Sequence, residues 1–97
     1  MKSESASRPL VALVSGANRG IGQEVARQLA QRGMQVILGS RDLARGEAAA
    51  SPLQRAGLAV FPYQLDVTDQ QSIGCLLAEM TQHFGKLDVL INNAAIL

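Results

Sequence analysis

The stretch from Leu10 to Gly22, LVALVSGANRGIG, limits what this chain can fold into more than any other. An apolar run, Leu10-Val11-Ala12-Leu13-Val14, leads into the glycines Gly16, Gly20 and Gly22. A short continuous apolar run ahead of glycines reads as a buried parallel strand. The glycines let the backbone turn sharply and let a ligand approach with no side chain in the way. The residues after them open a helix, whose first N–H groups lack intrahelical partners and carry partial positive charge. Strand, turn and helix start together form a seat for a phosphate or pyrophosphate. The stretch predicts a dinucleotide-binding half-domain.

The rest of the chain is compatible with that reading. With 97 residues, 47% of them hydrophobic and 18% charged, it has the length of at most one small globular domain. A net charge of +1 with no basic run favours neither nucleic acid nor an anionic membrane as partner. No apolar run approaches bilayer length. The opening MKSESASRP lacks the apolar centre of a secretory signal, so residues 1–8 read as a flexible tail and 9–97 as a partial nucleotide-binding domain. The single cysteine, Cys75, fits a reducing cytoplasm and reads as a small core hydrophobe within a helix.

Four strand-like runs alternate with three helical patterns. The strands fall at about Leu10 to Ser15, Gln35 to Ser40, Leu58 to Leu65 and Leu87 to Asn92. The first helix covers about Gly20 to Arg32, with Ile21, Val25 and Leu29 on one face and Gly33 at its C-terminal end. Asp42 caps the second helix, and Ser51-Pro52 predicts a kink or break within it before Gly57. Pro62 marks the third strand as an edge strand. Asp69 caps the third helix, whose stripe is Ile73, Leu76, Leu77, Met80 and Phe84, ending at Gly85. Such alternation implies right-handed crossovers and a parallel sheet covered on both faces. The expected architecture is the N-terminal half of a doubly wound α/β Rossmann sheet, strand order 3-2-1-4.

Gly16-x-x-x-Gly20-x-Gly22 is not the common G-x-G-x-x-G, and glycines at such a turn can serve packing alone. The strand before and helix after favour a phosphate seat. No Lys-Ser/Thr pair follows, which disfavours a nucleoside-triphosphate loop. In dinucleotide folds a carboxylate about 20 residues beyond the glycines binds the ribose hydroxyls of NAD. Here the second strand ends Leu38-Gly39-Ser40-Arg41, with no carboxylate before Asp42. Ser40 and Arg41 would accept a 2′-phosphate that a carboxylate would repel, and Arg19 adds a second cation. Each arginine alone could be an ordinary surface residue. Together they favour NADP(H) over NAD.

Three motifs in order then resemble the N-terminal half of short-chain dehydrogenases/reductases. These are Ser15-Gly16-Ala17-Asn18-Arg19-Gly20-Ile21-Gly22, Leu65-Asp66-Val67 and Asn92-Asn93-Ala94-Ala95. The Gly39-Ser40-Arg41-Asp42 ending and the Leu87 to Asn93 run look most like the carbonyl-reductase branch. The resemblance implies cofactor contacts from the glycine motif, including Asn18 and Ile21. It also implies Asp66 at the adenine edge with the Val67 backbone beside it, and Asn93 and Ala94 along the adenosine ribose. Asn92-Asn93 would tie strand four to the central sheet. A carboxylate such as Asp66 is otherwise a turn or cap residue. Ala95 stands where the family usually has glycine, and its methyl group could crowd the cofactor.

The same resemblance implies hydride transfer between nicotinamide and a carbonyl or alcohol carbon, through a Tyr and a Lys four residues later, aided by a Ser and an Asn. A nearby cation lowers the phenol pKa so that such a tyrosine can exchange a proton near neutral pH. The chain has one tyrosine, Tyr63, followed four residues later by Val67, and its lysines are Lys2 and Lys86. It offers no catalytic residue and no metal-ligand cluster, and His83 near the end of the third helix reads as a helix-end or surface group. Three readings follow: a cofactor-binding portion of an NADP(H)-dependent carbonyl reductase-like enzyme, inactive alone; a short nucleotide-binding or interfering module self-associating through its fourth strand; and, disfavoured by Arg19/Arg41 and Asn92-Asn93, a methyltransferase-like nucleotide fold.

Overall fold

A computed structural model describes residues 9–16 and 20–92. Its elements follow in the order β1 (Val11–Ser15), α1 (Gly20–Gln31), β2 (Gln35–Ser40), α2 (Leu43–Arg55), β3 (Val60–Gln64), α3 (Gln70–His83) and β4 (Val89–Asn92). The strands form one parallel sheet in the order β3-β2-β1-β4, the expected half of a Rossmann fold. Ser15 lies opposite both Gly39 and Asn92, and Ser40 opposite Gln64. The carboxyl ends of all four strands therefore open on one edge of the sheet.

Period-two alternation divides the strand side chains between two apolar layers. Val14, Val36, Leu38 and Val60 pack with Ala26 and Ala30 of α1 and with Ala49, Ala50 and Leu53 of α2. Val11, Leu13 and Ile37 point the other way, onto Leu65 and onto Leu76 and Met80 of α3. Because β1 and β2 are covered on both faces, both are buried along nearly their whole length. Phe61 of β3 meets Phe84 at the end of α3, with ring centroids 5.3 Å apart. Beyond the strands, the Asp88 carboxylate accepts the Val11 N–H at 2.8 Å and so fastens the start of β1 to the chain entering β4.

Four local expectations are corrected. On α1 the buried stripe is Gly22, Ala26 and Ala30 rather than Ile21, Val25 and Leu29. Val25 and Leu29 flank the core and Ile21 is 74% exposed, because small side chains let the helix settle closer to the sheet. Pro52 does not break α2, which runs unbroken from Leu43 to Arg55 with the proline inside it. Pro52 and Ala48, the residue whose carbonyl forgoes its usual partner, both lie on the exposed side, where water can replace that hydrogen bond. Cys75 is exposed rather than a core residue. It lies about 100° around α3 from Leu76, outside the packed face. Within the predicted α3 stripe Leu76 and Met80 are buried, but Leu77 is 45% exposed.

Asp42 and Asp69 cap α2 and α3 as expected, accepting from Ala44 and Gln71 N–H groups. Pro62 lies in β3, at the end of the sheet order, where a missing N–H interrupts no ladder with a further described strand. On the outer face of α1, Arg27 and Gln28 donate to the Glu24 carboxylate. The Arg27 hydrogen bond is the main cause that pulls the Glu24 carboxyl down to about 2 from 4.5. A lowered carboxyl pKa adds stability above its unfolded value and loses it as pH falls, so this contribution fades between 4.5 and about 2. An NMR titration of Glu24 is expected to show that acid midpoint, and Arg27→Ala to move it upward. The pair is exposed, and its effect on overall stability is small.

Candidate functional site

Each strand hands its last residue to the same crevice. After Ser15, the chain turns through Gly16 at φ 66° and re-enters helix at Gly20 at φ 61°. Both lie in the left-handed region that side chains with a Cβ avoid. Among the described residues, nothing beyond its chain neighbours and its own helix backbone lies within 4 Å of where a Cβ on Gly20 would stand. The first turn of α1 carries no acidic side chain, and its positive dipole end favours an anion. Ile21 leaves its apolar side chain in solvent beside this turn. Two left-handed glycines, an anion-favouring helix start and a bare apolar side chain all suit a bound dinucleotide. Asn18, Arg19, Asn93 and Ala94 lie outside the described residues.

The β1 and β4 ends are joined at the crevice by Ser15, whose hydroxyl donates to Asn92 Oδ1 at 2.9 Å. Asn92 thus ties β4 to the central sheet, as the resemblance implied. Ser15, only 2% exposed, is the partner that sequence reasoning left unassigned. Its signal was a hydroxyl as the last polar group of an apolar strand. Ser15→Ala is expected to remove this hydrogen bond and to lower stability by about 0.5–1.5 kcal/mol. A urea titration against the unsubstituted chain measures this.

The end of β2 divides two residues that were expected to act together. Ser40 is 1% exposed and its hydroxyl donates to the Asp42 carbonyl at 2.9 Å. Gly46 of α2 packs so closely over Ser40 that an added Cβ would stand 3.1 Å from the Ser40 Cβ. The Ser40 hydroxyl therefore braces the start of α2. Arg41, the next residue, is exposed, and its guanidinium has neither a hydrogen bond nor an ion pair among the described residues.

Asp66 follows β3 on the same edge. Its Oδ1 accepts the Thr68 hydroxyl at 2.6 Å and the Thr68 N–H at 2.9 Å, a tight turn ahead of α3. The Thr68 hydroxyl, then its N–H, holds the carboxyl below its usual range, and the positive charge of Arg41 adds a smaller pull. The turn role and a ligand role do not exclude each other, since the Thr68 bonds use Oδ1 alone. Val67 lies nearby in a cavity of about 280 Å³ between α3 and β4, with Leu13, Leu65, Leu77, Leu90 and Asn92 among its lining residues. Tyr63 packs against the α3-side core, and Lys86 pairs with Asp88 at 3.3 Å at the opposite end of β4 from the crevice. Tyr63 is in register with Gly39 near the crevice end of β3 whereas Lys86 lies before the start of β4, so the two form no catalytic pair.

A model of the short chain dehydrogenases matches residues 10–97. The chain belongs to this family. Human NADPH carbonyl reductase 3 is 49% identical to this short-chain dehydrogenase chain over 87 residues, covering 89% of the chain and 31% of the relative. Menthone neomenthol reductase from Mentha piperita superposes with a TM-score of 0.86 at 43% identity, over 91% of this chain and 32% of its own. An actinorhodin polyketide ketoreductase solved with NADPH gives 0.85 at 35% identity, over 91% and 34%. The chain spans about a third of the length of the relatives it matches. No described helix is long and apolar enough to cross a membrane.

Proposed function

We propose that this chain is the NADP(H)-binding N-terminal portion of a cytoplasmic short-chain oxidoreductase of the carbonyl-reductase type. The observation that carries this reading is the exposed Arg41 just after β2, without an ion pair among the described residues, where an NAD-specific fold would place a carboxylate. The cofactor, when bound, supplies a hydride for a carbonyl carbon. The chain's own residues bind and orient it. Gly16, Gly20, Ile21 and Gly22 seat the pyrophosphate together with Asn18, while Arg41 and Arg19 hold the 2′-phosphate. Asp66 and Val67 flank the adenine, and Asn93 and Ala94 line the ribose. The names of carbonyl reductase 3 and of the ketoreductase complex, both of which carry NADPH, support the choice of cofactor.

Because Tyr63 is followed four residues later by Val67, this chain carries no Tyr-x-x-x-Lys pair and by itself reduces no carbonyl. Titration of the purified chain with NADPH and NADH tests the reading. Binding of NADPH at least roughly tenfold tighter is expected, the worth of one charge-assisted phosphate contact. Equal affinities would remove the cofactor assignment. Carbonyl reduction by the chain alone would remove the claim of inactivity.

A second reading, a non-catalytic nucleotide-binding or interfering module, draws on β4. That strand pairs only with β1 among the described strands, and Leu90 is 62% exposed. An open apolar edge favours pairing with another copy. Sedimentation over a concentration series is expected to show self-association that Leu90→Lys weakens. A monomer at all concentrations would remove this reading.

A further inference from the structure

We infer that Gln64 and Ser72 are positioning residues that set the preference for the phosphorylated cofactor, by holding Arg41 and Asp66 at a fixed separation across the crevice. This rests on the cofactor reading above but concerns residues that do not touch the ligand. The β2–β3 ladder runs out at the crevice: Ser40 pairs with Gln64, and the Leu65 N–H donates to the Ser40 carbonyl at 2.7 Å. Beyond that point a chain of side-chain bonds replaces it. Gln64 Nε2 donates to the Arg41 carbonyl at 3.4 Å. Ser72 Oγ donates to Gln64 Oε1 at 3.1 Å, and the Asp66 N–H donates to Ser72 Oγ at 2.9 Å.

The order of donors is self-consistent. The Arg41 carbonyl can only accept, so it requires the NH₂ end of the Gln64 amide. That leaves Oε1 for the Ser72 hydroxyl, whose own lone pair takes the Asp66 N–H. One amide and one hydroxyl thus join the backbone bearing the Arg41 cation to the backbone bearing the crevice carboxylate.

The physical need for such a link comes from the two charges. Arg41 is long and exposed, with no ion pair among the described residues, and Asp66 is the carboxylate whose titration its charge influences. If the two backbones drifted together, guanidinium and carboxylate would pair and the 2′-phosphate would lose its cation. Thr68 occupies Asp66 Oδ1, and the Gln64–Ser72 bracket fixes the backbones. A ligand without the 2′-phosphate does not use Arg41, and its adenine contact at Asp66 rests on the Thr68 turn, so it makes little demand on that separation. The bracket therefore acts on preference and leaves general affinity alone.

The test measures NADPH and NADH dissociation constants for the complete chain and for Gln64→Leu, Ser72→Ala and Ser72→Thr, with thermal unfolding as a check on folding. Gln64→Leu and Ser72→Ala are expected to reduce the NADPH-to-NADH affinity ratio roughly three- to tenfold, the range of one lost hydrogen bond, with NADH affinity unchanged within about twofold. Ser72→Thr keeps the hydroxyl and is expected to keep the ratio. An unchanged ratio in folded variants would overturn the inference. So would a parallel loss of both cofactors, or unfolding of both Gln64→Leu and Ser72→Ala, because a purely structural bracket behaves that way. A native chain that shows no preference would overturn the cofactor reading and this inference together. A native preference that survives in the variants overturns this inference alone.

Discussion

Replacing Arg41 with alanine is expected to weaken NADPH binding roughly 10- to 100-fold while changing NADH binding little. The guanidinium matches phosphate oxygens with paired, charge-assisted hydrogen bonds, about twice as strong as neutral ones. Among the described residues the Arg41 guanidinium has no hydrogen bond or ion pair, and Asp66, whose carboxyl feels its charge, has Oδ1 held by Thr68. Arg41→Glu should go further and invert the preference, placing a carboxylate where NAD-specific folds have one. Both effects shrink in high salt, because the site is exposed and screened. Calorimetric titration with both cofactors at low and moderate salt reads all of this. If Arg41→Ala weakened NADH as much as NADPH, Arg41 would be supporting the fold and the 2′-phosphate would need another partner.

The largest effect on stability is expected from Ile37→Ala. Ile37 is 0% exposed at the middle of β2, opposite Leu13 on one side and Phe61 on the other. It forms the centre of the layer under α3, with Val11, Leu65, Leu76 and Met80. Truncating such a residue removes buried apolar surface and leaves a cavity, at a cost of about 2–5 kcal/mol. A small domain has only about 5–15 kcal/mol to lose, and a short chain buries a smaller share of its surface. The midpoint of urea unfolding should therefore fall steeply. NADPH at about a hundred times its dissociation constant should return about 2.7 kcal/mol by binding only the folded state. A variant whose midpoint hardly moves would mean that the sheet centre relaxes around the gap.

Much of this fold was readable residue by residue, and what was missed has identifiable causes. The strands were legible because each is a short apolar run bounded by turn residues, and Pro62 announced which of them lies at an edge. The order 3-2-1-4 followed from helix–strand alternation. Helix faces were less legible. Ile21, Val25 and Leu29 make as good a stripe as Gly22, Ala26 and Ala30, and hydrophobicity favours the wrong one. Only the closeness of α1 to the sheet decides, and that is a tertiary fact. Pro52 misled because its effect depends on which side of α2 it occupies. At the site, Arg41 was legible as an isolated cation after a strand, whereas the burial of Ser40 and the bond of its hydroxyl to the Asp42 carbonyl were not. Gln64 and Ser72 gave no signal, since their importance lies in bonds between segments eight residues apart along the chain.

The small-residue seam of α1 has a consequence for how this molecule responds to change. A helix seated on Gly22, Ala26 and Ala30 has almost no compressible side chain between its axis and the strands beneath it. An extra methyl group on that seam would act as a shim, tilting the whole rod and carrying its leading amide groups away from the spot where an anion would rest. Packing and ligand affinity are thus geared together through one rigid lever, so that crowding at Ala26, well inside the helix, would be felt at its Gly20 tip.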